Sequence, residues 1–367
     1  EIKDIVVRNT RIADPEGEYV ECGHIIHADG CIVAPGLIDF HTHIFHEGSG
    51  SAIRPDFMIS QGTTAAVDAG TAGTVTYESF YKSVIAQSTV RIKGFLTTYS
   101  GGQLDFKLCE DFNPELINLA RMERVIDKYR DNILGLKIRL SKGVVPDDKA
   151  LDYLKRVIEL ADELDERLGT SLRVCVHTTN SPIPASELAD CLRPGDIFCH
   201  CFQGAGNTII MENGQIWPGI LEARKRGVIF DAANGRGNFG AATAKQALKA
   251  GFLPDIISTD LTIDKFNIPP YTKNLPSVMA KYMTMGMNLM DVLNTVTAAP
   301  AKIMGMEGKI GTLQPGADAD IVILKEKQLS FIQKDFKDEE LVSNALLVPQ
   351  LTMCAGEINF CQADFFL

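Results

Sequence analysis

The sequence predicts an α/β fold. A distorted (β/α)8 TIM barrel is expected over residues 34–306, with a small β-sandwich domain built from both termini, residues 1–33 and 307–367. Three observations carry this reading. Eight short apolar runs alternate with stretches whose apolar residues recur every three or four positions. No glycine-rich phosphate turn, the usual mark of a doubly wound open sheet, follows the first run. Both ends of the chain break the alternation with strand-like pieces punctuated by turns.

The first barrel strand, 36–43, follows the turn dipeptide Pro35-Gly36. The others are read at 63–69, 91–98, 133–140, 172–178, 196–201, 227–232 and 255–260. Helical segments fall near 52–61, 74–87, 114–130, 147–168, 184–192, 217–226, 240–250 and 274–286. Starts such as Pro114-Glu115 and Pro184-Ala185-Ser186-Glu187 mark their N-termini. Eight strand–helix repeats is the count of a closed barrel, whose active site sits at the C-terminal strand ends. Outside it, DIVVRNTRI (4–12) and HIIHADGCIV (24–33) read as short strands. GKIGTLQPGADADIVILKE (308–326) reads as a turn-punctuated hairpin, with further strand-like pieces near 350–360. There are no internal repeats or low-complexity segments.

Apolar residues make up 45% of the 367 and charged residues 23%, enough for a large buried core. The net charge of −11 argues against a nucleic-acid backbone or an anionic membrane as partner. No apolar run approaches a bilayer span, and the opening residues show no signal-peptide pattern. The nine cysteines are scattered, with no Cys-X-X-Cys, which fits a reducing compartment. A cytoplasmic protein acting on a small-molecule substrate is the expectation, and a homo-oligomer is left open.

The first barrel strand ends APGLIDFHTH (34–43). Alternation along a strand puts His41 and His43 on one side and Thr42 on the other. Two imidazoles side by side make half of a metal site; the plainer alternative is two polar residues meeting solvent. Of seven histidines, four fall at C-terminal ends of barrel strands: His41, His43, His177 and His200. Asp260 ends the eighth strand in the same way. Lys137 interrupts the apolar run ILGLKIRL, where an inward-facing lysine must lose its charge, find an anion or be chemically changed. One explanation serves all of these residues. A neutral lysine amine that takes up CO2 becomes a carbamate, whose two oxygens can bridge two metal ions. His41, His43, carboxylated Lys137 and Asp260 then hold one divalent ion, and Lys137, His177 and His200 the second. This ligand set suits zinc first, with manganese, iron or cobalt as alternatives.

Pro35 through His43 also fit the signature Pro-Gly-Leu-Ile-Asp-X-His-X-His, and GKIGTLQPGADADIVI (308–323) fits a closing motif that Ala299-Pro300-Ala301-Lys302 precedes. On these residues the sequence resembles the amidohydrolase superfamily of metal-dependent hydrolases, over nearly the whole chain. TTAAVDAGTAG (63–73), GLKIRLS (135–141) and CHCFQG (199–204) resemble a branch labelled amidohydrolase/deacetylase, some members of which are labelled dihydroorotase-like or adenine deaminase. The resemblance implies a metal-dependent hydrolase of amide or ester bonds. Two departures bear on the alternatives. Phe45 stands where the dihydroorotase pattern has an arginine, and His177-Thr178-Thr179-Asn180 lacks the glutamate of purine-type deaminases.

The neighbouring residues carry competing readings. Cys199 and Cys201 read as barrel packing, turned away from His200 by alternation. Arg139 either anchors a substrate carboxylate or satisfies a barrel carboxylate. Tyr99, Asn180, Asn234 and Arg236 lie on loops after the strands and are candidate substrate contacts; Arg236 reads somewhat more readily as a solvated loop residue than as an anion clamp. His46 reads as a loop residue, Asp68 as a residue that orients a ligand or packs, and the methionines of 279–290 as a core-facing helix and its turn. The expected mechanism is attack by a metal-bridging hydroxide on an acyl carbonyl, with catalytic Asp260 relaying the proton to the leaving group. Cyclic-amide hydrolysis or heterocycle deamination is the alternative chemistry. A catalytically silent barrel is disfavoured because all six ligands are present. The substrate itself is not legible.

Overall fold

A computed structural model of the chain describes residues 4–17, 23–105 and 108–365. The readings for residues 1–3, 18–22 and 366–367 lie outside that set. Three short strands open the chain: β1 (Val6–Arg8), β2 (Arg11–Ala13) and β3 (Ile32–Pro35). A seven-stranded parallel sheet follows in sequence order: β4 (Leu37–Thr42), β5 (Thr63–Asp68), β6 (Arg91–Thr97), β7 (Ile133–Arg139), β8 (Arg173–His177), β9 (Ile197–Cys199) and β10 (Ile229–Asp231). Each strand is a short apolar run buried on both faces, as a covered parallel sheet requires.

The eighth run closes the ring without forming a regular ladder. Parallel bridges join Ile256 to Asp231 and Leu261 to Thr42. Asp260 N donates to His41 O at 2.7 Å, and His43 N to Leu261 O at 3.1 Å. The irregularity has a local cause: Asp260 is left-handed, with φ 51°. The buried Asp39 carboxylate replaces part of the lost ladder, accepting from Thr259 N at 3.0 Å and Thr259 Oγ1 at 2.6 Å. Burial raises its pKa to about 7.

Two apolar layers follow from the alternation along the strands. Ile38, Phe40, Phe95 and Ile197 fill the ring, above a floor of Ala301, Met304 and Ile310. Leu136, Ile138, Val174 and Val176 face outward onto the helices. Those helices lie where the periodicity placed them. Ala150–Leu168, for instance, turns Leu154, Val157, Ala161 and Leu164 to the sheet and stops at left-handed Gly169. Truncating Leu164 to Ala would cost roughly 2–5 kcal/mol by leaving a cavity. Two helices were not anticipated, Leu289–Thr295 and Ala298–Ile303.

The termini meet in an antiparallel sheet ordered β13-β12-β11-β3, with β11 at Ile321–Lys334, β12 at Glu340–Cys354 and β13 at Glu357–Cys361. The β1–β2 hairpin pairs with the segment leading into β11, through Ile12 N to Ala317 O (2.9 Å) and Ala319 N to Thr10 O (2.9 Å). Ile12, Ile321, Ile323, Leu351 and Met353 form the core beneath it. Joining such distant segments costs little extra because closure entropy grows only logarithmically with loop length. The hairpin expected within 308–326 is corrected: the strand starts at Ile321 and the hairpin runs to Cys354. Its middle, KEKQLSFIQK (325–334), is largely polar and outward-facing, so it carries no apolar strand signal. No strand forms over 24–28.

Candidate metal centre

The C-terminal ends of the ring strands gather four histidines, and the hydrogen bonds of three aim their rings inward. His41 Nδ1 bonds Asp231 Oδ2 at 3.0 Å, His200 Nδ1 bonds Ala233 O at 2.7 Å, and His43 Nδ1 shares a 2.8 Å bond with Thr71 Oγ1. A carboxylate and a carbonyl only accept, so Nδ1 of His41 and His200 carries the proton and the Nε2 lone pair faces the centre. There, Nε2 of His41 and His43 lies 3.8 and 3.4 Å from Asp260 Oδ1, and His200 Nε2 lies 2.8 Å from His177 Nδ1. Asp68 braces this arrangement from behind: it accepts from Ile44 N and from Thr71 N, and Thr71 in turn fixes His43.

Burial depresses the pKa of His41 and His177 well below the ordinary histidine value and that of His200 to about 3. All three are neutral imidazoles, the form a metal requires. Burial alone would raise Asp260, but the Lys265 ammonium and the hydrogen bond from His43 hold it well below the usual carboxylate range. His41, His43 and Asp260 place one donor atom each within 4.8 Å of the others. Two imidazoles and a carboxylate drawn this close together fit a metal ion.

Lys137 lines the same cavity as His41, His43, His177 and Asp260, its stem passing Gly70. A Cβ at Gly70, whose φ is +95°, would lie 2.6 Å from Lys137 Cβ. The hydrogen-bond partners of Nζ are two thiols, Cys175 Sγ at 3.5 Å and Cys199 Sγ at 3.8 Å. Burial opposes the ammonium here, while the two sulfurs and Asp260 outweigh it and raise the pKa in the metal-free chain.

The reading of Cys199 is corrected in one respect. Cys201 packs outside the ring, but Cys199 faces its interior beside Lys137, because left-handed His200 (φ 59°) breaks the alternation. Cys199 could join His41 and Asp231 as a donor set. We favour the trio with Asp260. Burial pushes the Cys199 thiol well up, and the Asp231 oxygens already hold His41, Ser258 Oγ (2.5 Å) and Ala233 N (3.1 Å).

A cavity of about 360 Å3 opens above the cluster. Arg139 and Asn180 line it; Arg139 is ion-paired with Glu110. Tyr99, Asn234 and Arg236 are not in that lining. Tyr99 packs against the outer core, Asn234 is buried against Ser258 O and Tyr282, and Arg236 stacks on Tyr271 at 4.5 Å. A second cleft of about 320 Å3, near the starts of β5 and β6, contains no histidine. Sequence reasoning missed Asp231, Thr71, Glu110, Asn238 and Lys265. Asn238 Nδ2 donates to Asp260 Oδ2 at 2.6 Å, and Lys265 Nζ lies 3.6 Å from the same oxygen. Only Asp231 left a signal, as an acid closing the apolar run GVIFD.

The chain is similar to known proteins over most of its length. The model of the amidohydrolase family matches residues 32–358. A deacetylase of Agrobacterium fabrum (strain C58) is 30% identical over 306 residues, covering 81% of this chain and 71% of its own. The crystal structure of an adenine deaminase superposes with a TM-score of 0.86 at 26% identity, covering 98% of this chain and 95% of that one. That of a dihydroorotase gives 0.83 at 26% identity, covering 96% and 91%. An α/β ring with an added antiparallel sheet, and a match over most of its length, establish that the chain belongs to the amidohydrolase family and is a hydrolase.

Proposed function

We propose that the chain is a deacetylase-type hydrolase that cleaves an amide or ester bond of a small acylated metabolite at a site for two divalent ions. His41, His43 and Asp260 would hold one ion and His177 and His200 the other, with carboxylated Lys137 between them and zinc the metal best suited to the donors. The observation that carries this reading is Lys137. It is a buried amine with thiol partners, in the wall of the same cavity as His41, His43, His177 and Asp260. Bound there, the ions supply a water that ionises near neutral pH and a Lewis acid for the scissile carbonyl.

The chain's own residues do the rest. Asn238 holds Asp260 Oδ2, which leaves Oδ1 facing the histidines, placed to take the proton of the attacking water and return it to the leaving nitrogen or oxygen. Arg139 and Asn180 would contact the substrate from the cavity wall. No helix among the described residues is long and apolar enough to cross a membrane. The scattered cysteines favour a cytoplasmic setting.

The Agrobacterium relative is a deacetylase by name, which supports an acyl substrate. Ring-opening and deaminating activities, which the names of the two structural neighbours suggest, are the second reading. Against it, Phe45 is buried against Phe80 and offers no cation to a ring substrate. The test is a hydrolysis screen of metal-loaded protein against N-acyl amino acids, O-acyl hydroxy acids, cyclic imides and adenine. Release of a carboxylic acid from the first two groups is expected. Turnover only of rings, or ammonia from adenine, would overturn the proposal.

A further inference from the structure

The hairpin of β11 and β12 extends ten residues beyond Leu324, the last residue paired with β3, a reach of roughly 33 Å at 3.3 Å per residue. Its tip, residues 335–339, lands on the loops that follow β9, β10 and the eighth run. We infer that this tip, through Phe336 and Asp335, positions the active-site loops after β9 and β10 so that Asn238 stays on Asp260. The inference rests on the reading of Asp260 given above.

The loop after β10 is NGRGNFG (234–240), three glycines in seven residues. Such a segment pays a large ordering entropy and needs bracing from outside. The tip supplies the brace. Phe336 N donates to Phe239 O at 3.0 Å. The Phe336 ring covers the point where the two loops touch, at which Gly240 N donates to Phe202 O at 2.9 Å. A Cβ on Gly204 would overlap the ring, and one on Gly240 would lie 2.8 Å from Gly204 Cα. Both positions are bare where the ring and the neighbouring backbone come close.

Asp335 Oδ2 accepts from Ala241 N at 3.0 Å. Ala241 opens the helix Ala241–Lys249, whose N-cap, Gly240, has no side chain, so the cap comes from 94 residues away. Asp335 Oδ1 is fixed in turn by Lys337 N and Glu339 N. On the eighth loop, Lys334 N donates to Pro270 O at 2.9 Å and Tyr271 OH to Asp338 at 2.6 Å. The path from tip to site is short: Phe336 holds Phe239 and Gly240, and Asn238, two residues before Gly240, holds Asp260.

The test compares amide hydrogen exchange in metal-loaded wild type and Phe336→Ala. Residues 200–206 and 234–241 should exchange at least about tenfold faster in the variant while β5 to β8 keep their rates, the pattern of local opening. Acceleration confined to 325–345, or spread evenly through the barrel, would overturn the inference. Phe336→Leu should give a smaller acceleration in the same segments, and decides the matter if Phe336→Ala does not fold. With 4-nitrophenyl acetate as probe, kcat should fall about tenfold in Phe336→Ala with KM within about twofold, and Phe336→Tyr should restore it. A wild type that does not turn over this ester would count against the hydrolase reading and leave the exchange result to decide the role of the tip.

Discussion

Replacing Asp231 by Asn changes one atom in a fully buried carboxylate and tests how the centre is oriented. Asp231 Oδ2 accepts from His41 Nδ1, while Oδ1 accepts from Ser258 Oγ and Ala233 N. An amide has one acceptor for these two sides. If its oxygen stays with Ser258 and Ala233, its NH2 meets the Nδ1–H of His41, donor against donor. His41 must then move its proton to Nε2, which removes the lone pair that faces the site. If the amide flips, Ala233 N is left buried and unpaired, at about 1–3 kcal/mol. The first outcome should weaken metal binding by about 10–100-fold, or roughly 1.4–2.7 kcal/mol, whereas the second keeps the His41 tautomer and shows as a lowered melting temperature. Burial sets the Asp231 pKa to about 6, so the assay belongs at pH 8, where the wild-type residue is a carboxylate. Competitive zinc titration of metal-free protein against a chromophoric chelator measures the change, and a thermal melt checks the fold. Affinity within about threefold of wild type, in a normally folded variant, would refute this account of His41.

Other consequences follow from the buried groups. Lys281 is enclosed between Asn234 and the Phe239 ring, and burial lowers its pKa from 10.5 to about 7. The unfolded chain therefore binds more protons between those values, and wild-type stability should rise with pH there. The advantage of Lys281→Met should be largest at or below pH 7 and shrink by up to about 1.4 kcal/mol per pH unit above it, read from urea unfolding at pH 7 and 9. A gap that does not change with pH would contradict a neutral buried amine. Gly70→Ala should destabilise by roughly 1–3 kcal/mol, since its Cβ meets the Lys137 stem at positive φ, and should lower metal content as well. A normal melt with full metal would show that Lys137 can move aside freely.

The ring strands were legible because each is a short apolar run bounded by turn residues, and Lys137 stood out as a charge inside one of them. The irregular eighth run and the inward turn of Cys199 were not legible. Both depend on left-handed backbone at Asp260 and His200, which leaves no trace in an apolar pattern. The middle of the long hairpin escaped because its outward residues are polar and its partners, such as Ala241 for Asp335, lie far off in sequence. Glu110 and Lys265 sit on irregular segments whose direction no periodicity predicts. Asp231 could have been found by the argument that singled out Asp260, an acid ending an apolar strand.

A crystal structure of the metal-loaded protein, with anomalous data at the metal edge, tests the central claim most directly. Two dications in one pocket repel strongly at low dielectric and need an anion between them, and a free ammonium at Lys137 would add to the repulsion. Two anomalous peaks are therefore expected, one beside His41, His43 and Asp260 and one beside His177 and His200, with density for a carboxylate beyond Lys137 Nζ reaching both. A single peak with an unmodified Lys137 still turned to Cys175 and Cys199 would contradict it.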